Sequence, residues 1–306
     1  MIATRDGYGK GLLDYGMQNK NVVVIDADLG KSTRSNQFGK QFPERYINVG
    51  IAEQDMVVTS AGLASCNKIP FANSFAIFTE RAYEQIRNSI ARPNLNVKII
   101  GSHGGILTGD DGASAQSIED FAIYRVLPNM VVVNPADGIE AEKSVSVIAE
   151  HFGPVYMRLT REKLPILFND KYKFKLGKGV ILRGGKDVAI FSTGALVAES
   201  LKAYEELLKQ GIKVYVVNIH TIKPIDKELI IKLAKKTNAI VTAEDHNIIG
   251  GLGSAVAEIL VENYPCKMIR IGVKDRFGES GKPDELYKKY GLSSEHIVKA
   301  VKKILL

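Results

Sequence analysis

A carboxylate, a pair of phenylalanines and a histidine-bearing glycine loop are the parts of this 306-residue sequence with the types and spacing for chemistry. Glu53 lies in NVGIAEQDMVVTSAGLA, 48–64, where Ala52, Met56 and Leu63 share one apolar helix face. It falls in the first turn, where the helix dipole favours a negative charge. Such a carboxylate can simply stabilise its own helix, or it can make a charge-assisted hydrogen bond to a ligand. Phe75 and Phe78 follow in SFAIFTERAYEQIR, 74–87. Phenylalanines mostly pack in cores, yet a planar heterocycle also prefers an aromatic face. The loop GSHGGILTGDDGASAQSIED, 101–120, is rich in Gly and small residues, as a loop is where backbone approaches a ligand. It carries His103 and Asp111.

The elements that must position these groups alternate between two patterns. NVVVID (21–26), NVKIIG (96–101), NMVVVN (129–134) and GPVYMR (153–158) read as buried parallel strands. TERAYEQIRNSIAR (79–92) and GIEAEKSVSVIAEHF (138–152) read as helices between them. The pattern lapses in REKLPILFNDKYKFKLGKG (161–179) and then restarts. DVAIFS, IKVYVVN, NAIVTAE and CKMIRIG are strand-like, and ALVAESLKAYEELLKQ and GLGSAVAEILVEN helical. This alternation predicts an α/β chain of two doubly wound domains, 1–168 and 186–306, joined by a linker at 169–185. Ligands of such sheets sit beyond the carboxyl ends of the strands. That rule points to Asp26 and Asp28 after VVVI, Ser102 and His103 after KII, and Asn134 after MVVV.

Composition narrows the classes. Apolar residues at 45% and charged residues at 25% are ordinary globular values. Two cysteines, Cys66 and Cys266, are too few for a disulfide framework, which predicts a reducing, cytoplasmic setting. No apolar run approaches a membrane span of roughly 20 residues, and the start, MIATRDGYGK, lacks a signal peptide's apolar stretch. The net charge of +7 is concentrated after residue 170, where lysines alternate with apolar residues as in KELIIKLAKK. That is a solvated helix face, and no nucleic-acid partner is expected. The five histidines show no metal-ligand spacing. GGLGSA (250–255) lacks the last glycine of a dinucleotide loop and reads as packing at a helix start.

The wording of NVGIAEQ resembles the signature around the catalytic glutamate of transketolases and of the related deoxyxylulose-phosphate synthases. The resemblance covers nearly the whole chain. It implies a pyrimidine-binding domain followed by a transketolase C-terminal domain with a mainly parallel sheet. It assigns Glu53 the hydrogen bond to the aminopyrimidine of thiamine diphosphate that activates the cofactor. It makes Phe78 the stacking ring, with Phe75 beside it, Arg81 one turn on, and Asp28 near the cofactor. The glycine loop resembles the segment that carries a phosphate-binding histidine and a substrate-binding aspartate, here His103 and Asp111. ATRDGYG, ADLGKS and MRLTREKLP resemble the segments that grip a sugar phosphate, giving Arg5, Ser32 and Arg161. One position departs: Ala115 stands where the family carries a histidine before Gln-x-Ile-Glu.

The resemblance also implies a missing part. The family's diphosphate and Mg²⁺ site uses a Gly-Asp-Gly motif with a later Asn, and GDG occurs nowhere in this sequence. The expectation is therefore a separate N-terminal partner chain holding the diphosphate and Mg²⁺, in an α2β2 assembly active only when complete. The implied activity is two-carbon ketol transfer from a ketose phosphate to an aldose phosphate, in the non-oxidative pentose phosphate branch. The rival enzymes are a 2-oxoacid dehydrogenase β subunit or a deoxyxylulose-phosphate-synthase-like protein. The first has a Thr-Pro-like lead-in to its glutamate and lacks the sugar-phosphate set. A non-catalytic regulatory subunit that kept the fold is the rival of another class, favoured only by Ala115.

Overall fold

Runs such as VVVI and KII have no polar face to give to water, so they fold where both faces are covered. In the computed structural model, which describes residues 1–306, they do. The chain opens with β1 (Ile2–Ala3) and α1 (Thr4–Gln18). There follow β2 (Val22–Asp26), α2 (Gly30–Thr33), α3 (Asn36–Gln41), β3 (Tyr46–Asn48), α4 (Glu53–Ser65) and β4 (Ile69–Phe75). Next come α5 (Ala76–Glu80), α6 (Tyr83–Gln85), β5 (Lys98–Ser102), α7 (Asp120–Arg125) and β6 (Val131–Val133). The first half closes with α8 (Gly138–Glu150), β7 (Val155–Arg158) and β8 (Lys163–Leu164). The second half runs β9 (Val180–Arg183), β10 (Val188–Ser192), α9 (Leu196–Lys209), β11 (Val214–Asn218), β12 (Thr221–Lys223), α10 (Lys227–Thr237) and β13 (Ala239–Asn247). It ends with α11 (Leu252–Asn263), β14 (Lys267–Val273), α12 (Pro283–Tyr290) and α13 (Ser294–Leu305).

The first sheet has the order β12-β6-β7-β5-β4-β2-β3, parallel except for β12. Alternation of side chains across a strand splits β2 between two cores. Val23 and Ile25 pack with Met56 and Val57 of α4, whereas Val22 and Val24 pack with Tyr8 and Leu12 of α1. The second sheet has the order β14-β13-β10-β11-β9, with only β9 antiparallel. This is the expected two-part α/β fold with mainly parallel sheets. The segment 169–185 includes β9, the edge strand of the second sheet. The two halves are not separate bodies: β12 leaves the second half and pairs with β6, so one sheet draws strands from both.

Two local outcomes differ from the sequence patterns. The helix expected at 79–92 begins earlier, turns at Arg81–Ala82, and continues through Ile86–Ala91 as a π-helix. Helix α1 carries no strong apolar periodicity, because four of its buried positions, Gly7, Gly9, Gly11 and Gly16, are glycines. A Cβ on Gly7 would stand 1.9 Å from the Gly138 carbonyl oxygen, and one on Gly11 would stand 2.6 Å from that of Glu142. Close backbone approach to α8 adds to the burial of Tyr8 and Leu12 in fixing this helix. GGLGSA behaves as packing. The Glu244 carboxylate accepts the Leu252 and Gly253 N–H groups at 2.6 and 2.8 Å, filling the N-terminus of α11 with the chain's own anion. No helix is long and apolar enough to cross a membrane.

Candidate active site

Strands β2, β3, β4, β5 and β7 are parallel, so their carboxyl ends lie along one edge of the first sheet. Asp28 leaves β2 at that edge, Glu53 follows the turn after β3, Phe75 ends β4, His103 follows β5 and Arg161 follows β7. Arg5 arrives from far off in sequence. β1 pairs antiparallel with β8, with Ile2 opposite Leu164. The Thr4 hydroxyl accepts the Thr160 N–H at 2.6 Å. This small ribbon places the first turn of α1 next to the exit of β7.

Glu53 is the first residue of α4 and only 5% exposed. The turn before it is shaped by Gly50, at φ +74°, whose N–H bonds the Asn48 side chain at 2.9 Å. The Asn48 amide also donates to Asp28 at 3.0 Å, tying two strand exits together. No side chain of the protein pairs with the Glu53 carboxylate. A nearly buried carboxylate without a partner leaves room for a donor from outside the chain.

Phe75 lies between two rings. Its centroid is 5.5 Å from that of Phe78, at 11° between planes, and 3.8 Å from that of His103, at 24°. Phe78 remains 38% exposed, so this stack keeps a ring surface free. An unpartnered carboxylate and an open aromatic surface fit a planar heterocycle with a protonated ring nitrogen, as the aminopyrimidine of thiamine diphosphate would be.

His103 stands in the left-handed region, φ +61°, and its carbonyl accepts the Thr108 hydroxyl at 2.6 Å. Its Nε2 is 3.4 Å from an Arg5 Nη and its Nδ1 is 2.9 Å from Ser102 Oγ. Arginine can only donate, so Nε2 accepts and the ring proton sits on Nδ1, donating to Ser102. Burial, then Arg5 and Arg161, lowers the His103 pKa to about 3, so the ring is neutral at pH 7. Arg5 Nε is buried with no hydrogen-bond partner. Burial and the neighbouring Arg34 lower the Arg5 pKa. Arg161 meets Asp111 at 3.0 Å in a half-exposed pair. Pairs of that exposure contribute about 0–1 kcal/mol, so stability alone does not account for it.

The structure thus brings Arg5, His103, Phe75 and Phe78 into one run of contacts, with Asp111 and Arg161 paired nearby. Ser32 stands beside Arg5, whose guanidinium donates to the Ser32 backbone carbonyl at 3.0 Å. Arg81 stands exposed after α5, without an ion pair. Asp26 is buried inside the fold, where it accepts the Leu29 N–H and the Ser35 hydroxyl. The sequence reading missed Arg34, which holds a left-handed turn at φ +73° and pairs with Asp6 at 2.6 Å beside Arg5. Its signal was its place in GKSTR, two residues past Ser32. No group of three or more His, Cys, Asp or Glu side chains is placed to hold a metal ion.

Comparison with known proteins shows the family. A family model described as "Transketolase, pyrimidine binding domain" matches residues 1–166, and "Transketolase, C-terminal domain" matches 177–297. A Methanocaldococcus jannaschii protein, provisionally described as a transketolase C-terminal section, is 49% identical over 97% of this chain and 94% of its own length. A Clostridium sp. protein described as a 6-deoxy-6-sulfo-D-fructose transketolase subunit is 44% identical over 98% of this chain and 94% of its own. A solved structure described as a split-gene transketolase, inactive β4 tetramer, superposes with a TM-score of 0.94 at 50% identity. It covers 100% of this chain and 99% of that one.

Proposed function

The chain belongs to the transketolase family, corresponding to the C-terminal section of a split enzyme, and from that premise we propose that it supplies half of a two-chain ketol-transfer site. The other half is a separate chain that holds the diphosphate and Mg²⁺ of thiamine diphosphate, assembled as α2β2. The observation that carries this reading is the junction of the Phe75–Phe78 stack with the Arg5–His103 pair. It sets a surface for a flat ring next to a basic, partly unsatisfied pocket.

The bound cofactor supplies an electron sink for breaking a carbon–carbon bond beside a ketone. Glu53 holds a proton at a pyrimidine ring nitrogen through a charge-assisted hydrogen bond. Phe78, backed by Phe75, positions the ring by stacking. Arg5 and Arg161 offer planar forks to a terminal phosphate. Asp111, held by Arg161, accepts from a sugar hydroxyl. Asp28 lies beside the Glu53 turn and orders it through Asn48.

The test is reconstitution. The chain alone is expected to be inactive and to bind thiamine diphosphate weakly. Adding a partner that carries the GDG motif, with cofactor and Mg²⁺, is expected to restore transfer between phosphorylated sugars. Turnover by the purified single chain at the rate of the mixture would sink the split reading. The likeness to the Clostridium subunit favours a second reading of the substrate, a sulfonated ketose, because an arginine fork suits any tetrahedral anion. Comparing kcat/KM for phosphorylated and sulfonated ketoses separates the two.

Ala115 yields a further expectation. It sits half-buried one turn after Asp111, its N–H bonded to the Gly112 carbonyl at 3.0 Å. Cofactor activation rests on Glu53, so a missing histidine here affects donor handling only. Ala115→His in the two-chain enzyme is expected to change relative kcat/KM among ketose donors and leave acceptors unmoved. No change for any donor would mean that water makes this contact.

A further inference from the structure

The glycine loop that carries His103 and Asp111 does not rest on its own domain alone. Its inner turn, Ile106–Asp111, is bound from behind by a residue of the second sheet. Asp245, in β13, is 5% exposed. Its Oδ1 accepts the Ile106 N–H at 2.8 Å, and its Oδ2 accepts the Leu107 N–H at 3.1 Å. The Tyr287 hydroxyl of α12 donates to the same Oδ2 at 2.9 Å. The approach is so close that a Cβ on Gly105, itself at φ +85°, would stand 2.4 Å from Oδ2. Two successive backbone amides are thus presented to one carboxylate, as they would be to a bound anion.

Other contacts secure the mount itself. The Asp245 carbonyl accepts Arg158 at 2.6 Å, and Arg158 is paired with Asp120 at 2.9 Å, all buried. The Gln116 amide donates to the Gly109 and Glu279 carbonyls at 3.1 and 2.9 Å, again linking the loop to the second half. Within the first half the loop is held at His103, whose Nδ1 meets Ser102 Oγ at 2.9 Å, and by the half-exposed pair of Asp111 and Arg161. The second half thus holds the loop at Ile106, Leu107 and Gln116, whereas His103 and Asp111 carry the side chains proposed to meet substrate.

We propose that Asp245 is a positioning residue for the sugar-phosphate site, so that the second domain sets where His103 and Asp111 stand. This rests on the ketol-transfer reading for its substrate and on the geometry alone for its mechanics. Strand alternation provides a control. Glu244, the preceding residue, points to the opposite side and bonds only the N-terminus of α11. A merely structural role would make the two carboxylates equivalent.

The experiment uses Asp245→Asn, Tyr287→Phe and Glu244→Gln, as the chain itself and as the two-chain enzyme. In Asp245→Asn one amide of the loop loses its acceptor. Its Ile106 and Leu107 amides are expected to exchange with solvent at least about tenfold faster in the chain alone. The two-chain enzyme is expected to show KM for phosphorylated donors raised roughly tenfold or more, with kcat and cofactor affinity little changed. Tyr287→Phe removes one donor and leaves both amide bonds, so a smaller shift in the same direction is expected, and it serves if Asp245→Asn fails to fold. Glu244→Gln is expected to lower thermal stability and leave KM unmoved. An unchanged KM in both Asp245→Asn and Tyr287→Phe overturns the proposal. So does an equal KM shift in Glu244→Gln, which would make any buried-carboxylate loss sufficient. A wild-type complex without ketol transfer overturns the functional reading instead, and the amide exchange then decides the mechanics by itself.

Discussion

Glu53→Gln in the two-chain enzyme is expected to lower kcat by about 10²–10⁴-fold, the range for a positioned proton-transfer group. The substitution keeps size and shape and removes the charge. In the fold the carboxylate has no partner to lose, so its neighbours stay satisfied. The only structural cost is its favourable place in the first turn of α4, about 0.3–1 kcal/mol. Thermal unfolding should therefore move by a few degrees at most in a chain of this size. Circular dichroism and a melt distinguish this outcome from a folding defect. Thiamine diphosphate should still bind, because the stacking surface of Phe75 and Phe78 is untouched. A variant with near wild-type kcat at saturating cofactor would remove Glu53 from the chemistry and return it to the role of a helix-start charge.

That bland role was a live alternative in the sequence, and the reason shows what a sequence can and cannot carry. The strands were legible because β2, β5, β6 and β7 are buried on both faces and so carry consecutive rather than alternating apolar residues. Helix α1 was not, because its packing depends on absent side chains at Gly7 and Gly11. Strand β12 was not, because a three-residue strand that crosses to the other sheet has no local signal. In the site, Glu53, Phe75, Phe78 and His103 could be named from short motifs near strand ends. The joining of Arg5 to His103 depends on β1 meeting β8 across some 160 residues, which no local pattern encodes. Asp245 was wholly hidden. Its environment is made of backbone amides 139 and 138 residues away, and NAIVTAEDH reads only as a buried strand.

The fate of GGLGSA makes the same point in the other direction. As letters it suggests a phosphate loop. In the fold its amides are already occupied by Glu244, whose burial pushes its pKa up to about 7. An internal carboxylate therefore occupies the place a ligand would take. At the first sheet the balance is reversed: Arg5 Nε is buried and unsatisfied, and Glu53 has no partner. The first of these positions has its anion within the chain, and the second keeps an unpaired guanidinium nitrogen and an unpaired carboxylate beside an open aromatic surface.

Arg5→Ala tests that contrast where the charge is most concentrated. Arg5, Arg34 and Arg161 act on one another and on His103 through space, and each positive neighbour lowers the pKa of Arg5 or His103. Asp6 and Asp111 offset part of that charge. A dianionic phosphate would relieve the repulsion and satisfy Arg5 Nε at the same time. Losing a hydrogen bond to a charged group costs about 1.5–3 kcal/mol, so KM for a phosphorylated donor should rise roughly 10–150-fold. An unphosphorylated ketose should show a far smaller change, with kcat near wild type. Arg5→Lys restores the charge without the planar fork and should recover only part of the loss. A second signal is independent of turnover. Arg5 is the largest cause after burial of the low pKa of His103, about 3. Removing a positive neighbour favours the protonated ring, so the pKa should rise, yet stay below 6.5 because burial remains. An NMR titration of the His103 ring reads that shift in the chain alone. Equal KM effects on phosphorylated and unphosphorylated donors, with a His103 titration unmoved, would place the phosphate elsewhere.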